Sequence, residues 1–379
     1  MPLIDLIMLK QVLMRTRSLY KKLLATRLFK NWNDLFPTTA SFAFFNLYIL
    51  FCVLHGLIIS ASQDQNNSYE YNYIVVVLLT DLLKLILSFL LFIRTNPFSL
   101  FVSQITHNYK LLWLYLIPAG LYCIYNNLSF VSLSEFDPTT YSLLLQIRVV
   151  ITGVLFQVLF KRRLSLIQWI SLLTLMSGCM LKEMNLSSEW NADHKTSVGS
   201  VAGSSFGFNI FFILIQVLCS CTAGVYNEFL LKKNASNVST LVQNVFMYFD
   251  SILVNGVILL FKYDALQVFN AQALDALFQF RVILVMLNNT ALGITTSFFL
   301  KSLNSILKTF ASALELSLVA ILSRVFLHIP LLWNTILSIC IVSVAVFIYT
   351  QNPVISTSSG GDKEEKKHLV EEACTKSIV

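Results

Sequence analysis

Arg148, Lys301 and Lys308 lie in stretches whose other residues are overwhelmingly apolar. A charge held in hydrocarbon costs roughly 2.5–3.5 kcal/mol on insertion scales, so it turns toward a partner or a polar cavity. A guanidinium can fork onto phosphate oxygens, and a lysine adds a compact positive charge. Together the three suit a phosphate or pyrophosphate. Tyr122, Asn126, Tyr141, Asn244 and Tyr248 occupy similar surroundings and bring aromatic faces and amides, the groups that stack on a base and read its edge. Each of these alone is more often a packing residue, because Asn and Tyr also bond across membrane helices. The constellation carries the information, and it points to a pore or cavity for an anionic, hydrogen-bonding solute.

Competing readings attach to each charge. Asp81 and Lys84 are three residues apart on one helical face, the spacing of a structural ion pair. Arg148 has an alternative in an interhelical bridge to Asp250. Glu315, seven residues after Lys308, shares its face and pairs either with it or with another helix. Lys301 also has the reach to snorkel to an interface, and Glu228 is placed near a cytosolic end where water would solvate it. His55, His107, His194, His328 and His368 are dispersed and make no metal spacing. No P-loop, no Gly-x-Ser-x-Gly and no paired catalytic cluster is present, so no catalytic residue, metal ligand or cofactor is expected.

Those side chains need apolar helices to hold them. The chain is 56% hydrophobic and 12% charged, against about 25% charged in ordinary soluble domains. Apolar stretches of about 20 residues recur along it, the length that crosses a bilayer as a helix. The predicted fold is an all-α polytopic membrane protein with about ten spans. They are Thr39–Ala61, Tyr73–Ile93, Leu111–Leu133, Pro138–Phe160, Leu166–Leu181, Phe208–Leu231, Thr240–Phe261, Val282–Leu300, Ser305–Phe326 and Leu331–Tyr349. The stretch Lys182–Gly207 divides them into five and five. Halves of five spans enter the membrane upside down relative to each other, as in inverted-repeat carriers with a site near midplane.

Lys and Arg in short flanks set the orientation. Seven lie in Met1–Asn33, three form Lys161-Arg162-Arg163, two form Lys232-Lys233 and four follow Gln351, whereas Ser62–Asn72 and Ser134–Asp137 have none. Both termini are therefore expected in the cytosol, and the net charge of +7 belongs to these flanks rather than to a nucleic-acid partner. Residues 1–36 read as a basic cytosolic arm, 37–353 as the transporter domain with halves about 37–184 and 207–353, and 354–379 as a disordered cytosolic tail. No cleavable signal peptide is visible. The sequons at Asn66-Asn67-Ser68 and Asn185-Leu186-Ser187 fall on the luminal side of this scheme. The seven cysteines are scattered through apolar segments and indicate no disulfide framework.

Several ordered motifs resemble those of the nucleotide-sugar transporters of the drug/metabolite transporter superfamily. They are Tyr122…Asn126-Asn127-Leu128, Tyr141…Gln146-Ile147-Arg148, Arg163-Leu164-Ser165…Gln168-Trp169, Ala223-Gly224-Val225-Tyr226-Asn227-Glu228 and Lys301…Ile306-Leu307-Lys308-Thr309-Phe310. The resemblance covers about Phe36–Pro353. It implies a ten-span Golgi antiporter that exchanges a cytosolic nucleotide sugar, here UDP-galactose, for luminal UMP. It also implies that Tyr122, Asn126, Tyr141, Arg148, Asn244, Tyr248 and Lys301 touch the nucleotide. Arg148 stands where better-known members have lysine, Gln243 where an Arg is usual, and Asp250 at a position beside the site that is usually small and polar. Besides the lipid bilayer, a homo-oligomer and Golgi glycosyltransferases are candidate partners. The alternatives are another UDP-sugar such as UDP-N-acetylglucosamine, a non-transporting Golgi scaffold, and a membrane-embedded transferase.

Overall fold

A computed structural model describes residues 34–62, 73–135, 138–183, 204–234, 237–262, 279–326 and 332–354. Among them the regular structure is helical throughout. The helices are α1 (Thr39–Ser62), α2 (Tyr73–Thr95), α3 (Phe98–His107), α4 (Lys110–Glu135), α5 (Pro138–Leu145), α6 (Arg148–Phe160), α7 (Leu166–Glu183), α8 (Ser204–Phe229), α9 (Thr240–Lys262), α10 (Phe280–Ser302), α11 (Ser305–Phe326) and α12 (Trp333–Gln351). A π-helical turn, Leu230–Asn234, continues α8. Seven helices among the described residues are long and apolar enough to cross a membrane: α2, the α5–α6 run, and α8 through α12. The chain is thus a multi-pass membrane protein. Residues 1–33 of the basic arm, the tail after Val354, most of Lys182–Gly207 and the sequons at Asn66 and Asn185 lie outside the described residues.

Each expected span falls on helix, with two differences. The amphipathic α3, preceded by Pro97, follows α2 and was not signalled by a long apolar run. The expected Pro138–Phe160 span is broken at Gln146-Ile147. There the amides of Gln146, Ile147, Val149 and Val150 bond three residues back instead of four. Such a tight turn inside a helix rotates the side chains that follow it and often marks a functional point. Arg148 is the next residue.

The larger helix–helix interfaces follow an exchange rule. Place α1, α2, α4, α5–α6 and α7 in one set and α8 to α12, in order, in a second. The pair α4–α8 then has its counterpart in α10–α1, α9–α4 in α2–α10, α6–α8 in α11–α1, and α6–α7 in α11–α12. The pairs α2–α9, α7–α12 and α6–α11 map onto themselves. The α7–α12 seam is close: a Cβ on Gly178 would stand 3.0 Å from Ile341 Cγ2, and Ser338 Oγ donates to the Gly178 carbonyl at 2.6 Å. Small residues of this kind let membrane helices approach. Phe299, Leu300, Ile306 and Phe310 anchor the largest buried cluster, with Phe310 stacked on Tyr349 at 4.3 Å.

One ionic junction ties the second set together. Glu228 is not solvated as the sequence reading placed it; it is fully buried. Lys232 Nζ lies 2.7 Å from Glu228 Oε1, and the two side chains are 3% and 1% exposed. Glu228 Oε2 accepts from the backbone N of Ser305 at 2.7 Å and from its Oγ at 2.5 Å. Lys232 also donates to the Leu303 carbonyl. The π-helical turn therefore drops Lys232 into the α10–α11 corner. Asn304 completes that corner by accepting from the Leu307 amide at 2.7 Å and donating to the Val354 carbonyl at 3.1 Å.

Removing one member of such a pair strands a charge in a low-dielectric interior, at a cost of about 3–5 kcal/mol. Glu228→Ala should lower the thermal midpoint of the detergent-solubilised full chain sharply. Glu228→Gln combined with Lys232→Met should recover most of the loss. Equal drops for the single and double variants would remove the ion pair from the account.

Candidate functional site

Two cavities adjoin within the bundle, and Tyr122 of α4 lines both. The smaller, about 150 Å³, is lined by Arg148, Gln146 and Thr152 beside the α5–α6 break, by Ser220 and Cys221 of α8, and by Lys308, Thr309 and Ser312 of α11. The tight turn at Gln146-Ile147 is what brings Gln146, Arg148 and Val149 to one wall. On the opposite wall, the α10–α11 corner starts α11 at Ser305, so Lys308 sits one turn inside it. Lys308 Nζ lies 5.9 Å from the Tyr48 ring centre. Neither Arg148 nor Lys308 has a carboxylate within 4 Å among the described residues; the ion pairs there are Asp81–Lys84, Lys182–Glu183 and Glu228–Lys232. Glu315 thus does not pair with Lys308, and Asp250 does not bridge to Arg148. The lining residues include two cations and no acid.

The larger cavity, about 360 Å³, is built by α2, α4, α9 and α10, with Asn227 of α8. Asp81 and Lys84 line it as an ion pair of 3.1 Å, and Ser251 Oγ donates to Asp81 Oδ2 at 2.6 Å. Asn126, Tyr248, Asn255 and Asn289 add aromatic and amide surface. The four-residue spacing between Pro118 and Tyr122 puts a missing backbone donor one turn before the shared wall. A carboxylate and an ammonium close together make this chamber electrically neutral, in contrast to its neighbour.

The structure brings together some of the sequence-expected residues and separates others. Tyr122, Arg148 and Lys308 meet at the smaller cavity, and Tyr122, Asn126 and Tyr248 at the larger. Lys301 lines neither; its Nζ reaches the Val238 carbonyl at 3.5 Å. Tyr141 lines neither either, and its hydroxyl accepts from Gln216 Nε2 at 2.6 Å within a buried cluster on α8. Asn244 and Asp250 are each 2% exposed and stand outside both linings. Asn244 Nδ2 and Asp250 Oδ2 have no hydrogen-bond partner among the described residues. Gln243 is buried and accepts from Tyr115 Oη at 2.6 Å, which fixes α9 against α4.

Ser251, Asn255, Asn289 and Thr152 are lining residues that the sequence reading passed over. A signal existed for two of them. Asn244, Tyr248, Ser251 and Asn255 follow one another at four, three and four residues, so they form a single polar stripe along α9.

Comparison with known proteins places these cavities in context. The nucleotide-sugar transporter family matches residues 38–350. The UDP-galactose transporter senju of Drosophila melanogaster is 47% identical, over 86% of this chain and 90% of its own length. CMP-sialic acid transporter 1 of Oryza sativa subsp. japonica is 28% identical over 79% of this chain and 91% of its own. The protein of the same name from Arabidopsis thaliana is 28% identical over 84% and 93%. A protein of known crystal structure shares the fold with a TM-score of 0.57, at 10% identity, over 84% of this chain and 98% of its own. The family match spans α1 to α12 and both cavities, and the chain belongs to the nucleotide-sugar transporter family.

Proposed function

We propose that this chain is a Golgi antiporter that carries UDP-galactose from cytosol to lumen in exchange for UMP. The observation that carries the reading is the pairing of two unlike chambers across Tyr122. One holds Arg148 and Lys308 without an opposing acid, and the other is neutral and rich in hydrogen-bonding groups. A nucleotide sugar has the same division, an anionic pyrophosphate between two neutral, hydrogen-bonding ends. Together the chambers reach the size range of small-molecule sites, about 300–1,000 Å³. The choice of UDP-galactose is supported by the 47% identity to the Drosophila UDP-galactose transporter.

Ten spans, arranged as two inverted repeats over about 37–184 and 207–353 with both termini cytosolic, account for the exchange rule in the packing. Inverted halves generate matching contacts when one half is rotated onto the other, and alternating access is then a rocking of the halves about a midplane site. Arg148 and Lys308 belong to α6 and α11, a pair that the rule maps onto itself. The phosphate-binding cations therefore lie near the axis, where a ligand touches both halves at once. Asn244, Tyr248, Asp250, Tyr141 and Lys301 would take part in transport through a conformation in which their helices turn toward the cavity.

Uptake by the purified full chain in liposomes tests the reading. Arg148→Ala and Lys308→Ala should each lower UDP-galactose uptake about ten- to a hundredfold, the worth of a hydrogen bond to a charged group at about 1.5–3 kcal/mol. Arg148→Lys should retain part of the activity, since it keeps the charge and loses the fork. Uptake by the alanine variants at the wild-type rate would take the smaller cavity out of the pathway.

Vesicles preloaded with UMP should take up UDP-galactose faster than empty ones, because an antiporter returns efficiently only when loaded. Equal initial rates would make the protein a uniporter. A panel including UDP-N-acetylglucosamine reads the sugar preference in the same assay.

A further inference from the structure

The Arg163-Leu164-Ser165…Gln168-Trp169 motif lines neither cavity, yet it belongs to a firmly held basic turn between α6 and α7. Lys161 ends α6 at φ 53° and ψ 35°, in the left-handed region. It is the one residue with a positive φ among the described residues, glycines included. That position at a helix end ordinarily belongs to glycine. Leu164 is buried in the largest cluster. Ser165 then caps α7 reciprocally with Gln168: the Ser165 amide donates to Gln168 Oε1 at 2.9 Å, and the Gln168 amide to Ser165 Oγ at 3.3 Å. Gln168 Nε2 also donates to the Asn352 carbonyl at 2.9 Å, which ties the turn to the end of α12. Lys161, Arg162 and Arg163 stand exposed on this support.

A fourth cation joins them from the end of α8. Lys233 of the π-helical turn is exposed, and its Nζ lies 5.7 Å from the ring centres of both Phe160 and Phe229. Those rings pack edge to face at 5.9 Å, so Lys233 is held over the residue that precedes Lys161. No carboxylate among the described residues stands within 4 Å of Lys161, Arg163 or Lys233. We propose that Lys161, Arg162, Arg163 and Lys233 bind the headgroup of a polyanionic phospholipid, a phosphorylated inositol lipid. The leaflet is the one these residues face, cytosolic in the orientation expected from the basic flanks.

Charge and apolar surface together select this partner. Val154 and Val158 of α6 are exposed apolar side chains, as are Leu166, Ile170 and Leu173 of α7. They recur at three and four residues, so each helix carries one stripe leading away from the turn. A phospholipid has the same order, a charged head above acyl chains, whereas a soluble anion needs only the cations. A phosphodiester carries a single charge and leaves most of the four cations unmatched. A phosphomonoester on an inositol adds up to about two more charges and accepts an arginine fork. A charge that only sets topology needs no fixed geometry. Here a lysine occupies a glycine position within a capped turn. Lys161, Arg162 and Arg163 follow the first set of helices and Lys233 lies in the second, so one headgroup touches both.

The test titrates the detergent-solubilised full chain with phosphatidylinositol 4-phosphate, phosphatidylserine and phosphatidylcholine, and counts bound lipid by native mass spectrometry. Phosphatidylinositol 4-phosphate should bind at least about tenfold more tightly than phosphatidylserine, and Arg163→Gln and Lys233→Gln should each weaken it about fivefold. Lys161→Gly should weaken binding by a similar factor without lowering the thermal midpoint in lipid-free detergent, because glycine accepts this φ more readily. Soluble inositol 1,4-bisphosphate should compete poorly, since it lacks the acyl chains. Equal affinity for phosphatidylserine would reduce the turn to an ordinary topology signal and overturn the proposal. So would wild-type binding by all three variants, or full competition by the soluble headgroup. The readout needs no transport, so its outcome is independent of the carrier reading above.

Discussion

A charge inside a bilayer is tolerated only when something nearby compensates it, and that constraint organises this molecule. Two of its deep lysines are compensated within a turn of their own helix, Lys84 by Asp81 and Lys232 by Glu228. The cost of desolvating both members is offset by a short contact and by added donors from Ser251 and Ser305. Arg148 and Lys308 have no such acid among the described residues, and both line one cavity. The same economy that makes the paired charges structural makes the unmatched ones the proposed binding site for an anion.

The helices place these charges through a few local departures from regularity. The tight turn at Gln146-Ile147 rotates Arg148 to the cavity wall, and the π-helical turn after α8 carries Lys232 under the α10–α11 corner. That corner starts α11 at Ser305 and so sets the depth of Lys308. The Glu228 junction and the smaller cavity are therefore adjacent: Ser305 bonds the first and lines the second. A change of tilt in α11 would alter both at once and so would link the ionic junction to the proposed anion site.

Helix positions were readable from apolar runs because each run must hide its backbone bonds inside itself. Arg148 and Lys308 were readable for the same reason, as costly charges in that setting. What each helix presents to its neighbours was less legible. Lys301 carries the same signal as Lys308, yet it falls near Val238, because its rotation about α10 depends on contacts with α9 and the π-helical turn. Tyr141 sits in a recognisable motif but spends its hydroxyl on Gln216 of α8. Glu228 is expected in water because it sits near a cytosolic end; Ser305, which donates to its carboxylate, lies 77 residues away, and Leu303, which accepts from its partner Lys232, lies 71 residues from that lysine. The Asp81–Lys84 spacing announced an ion pair, while its place in a cavity wall emerged only from α9 and α10.

The central claim is that Arg148 and Lys308 hold the phosphate of the carried nucleotide. An experimental structure of the full chain with UMP bound tests it most directly. The account predicts the phosphate oxygens within hydrogen-bond distance of the Arg148 guanidinium and the Lys308 ammonium, on the α6–α11 side of Tyr122. A phosphate seated against Lys84 or Lys301 instead, with Arg148 and Lys308 making no contact to it, would contradict the account.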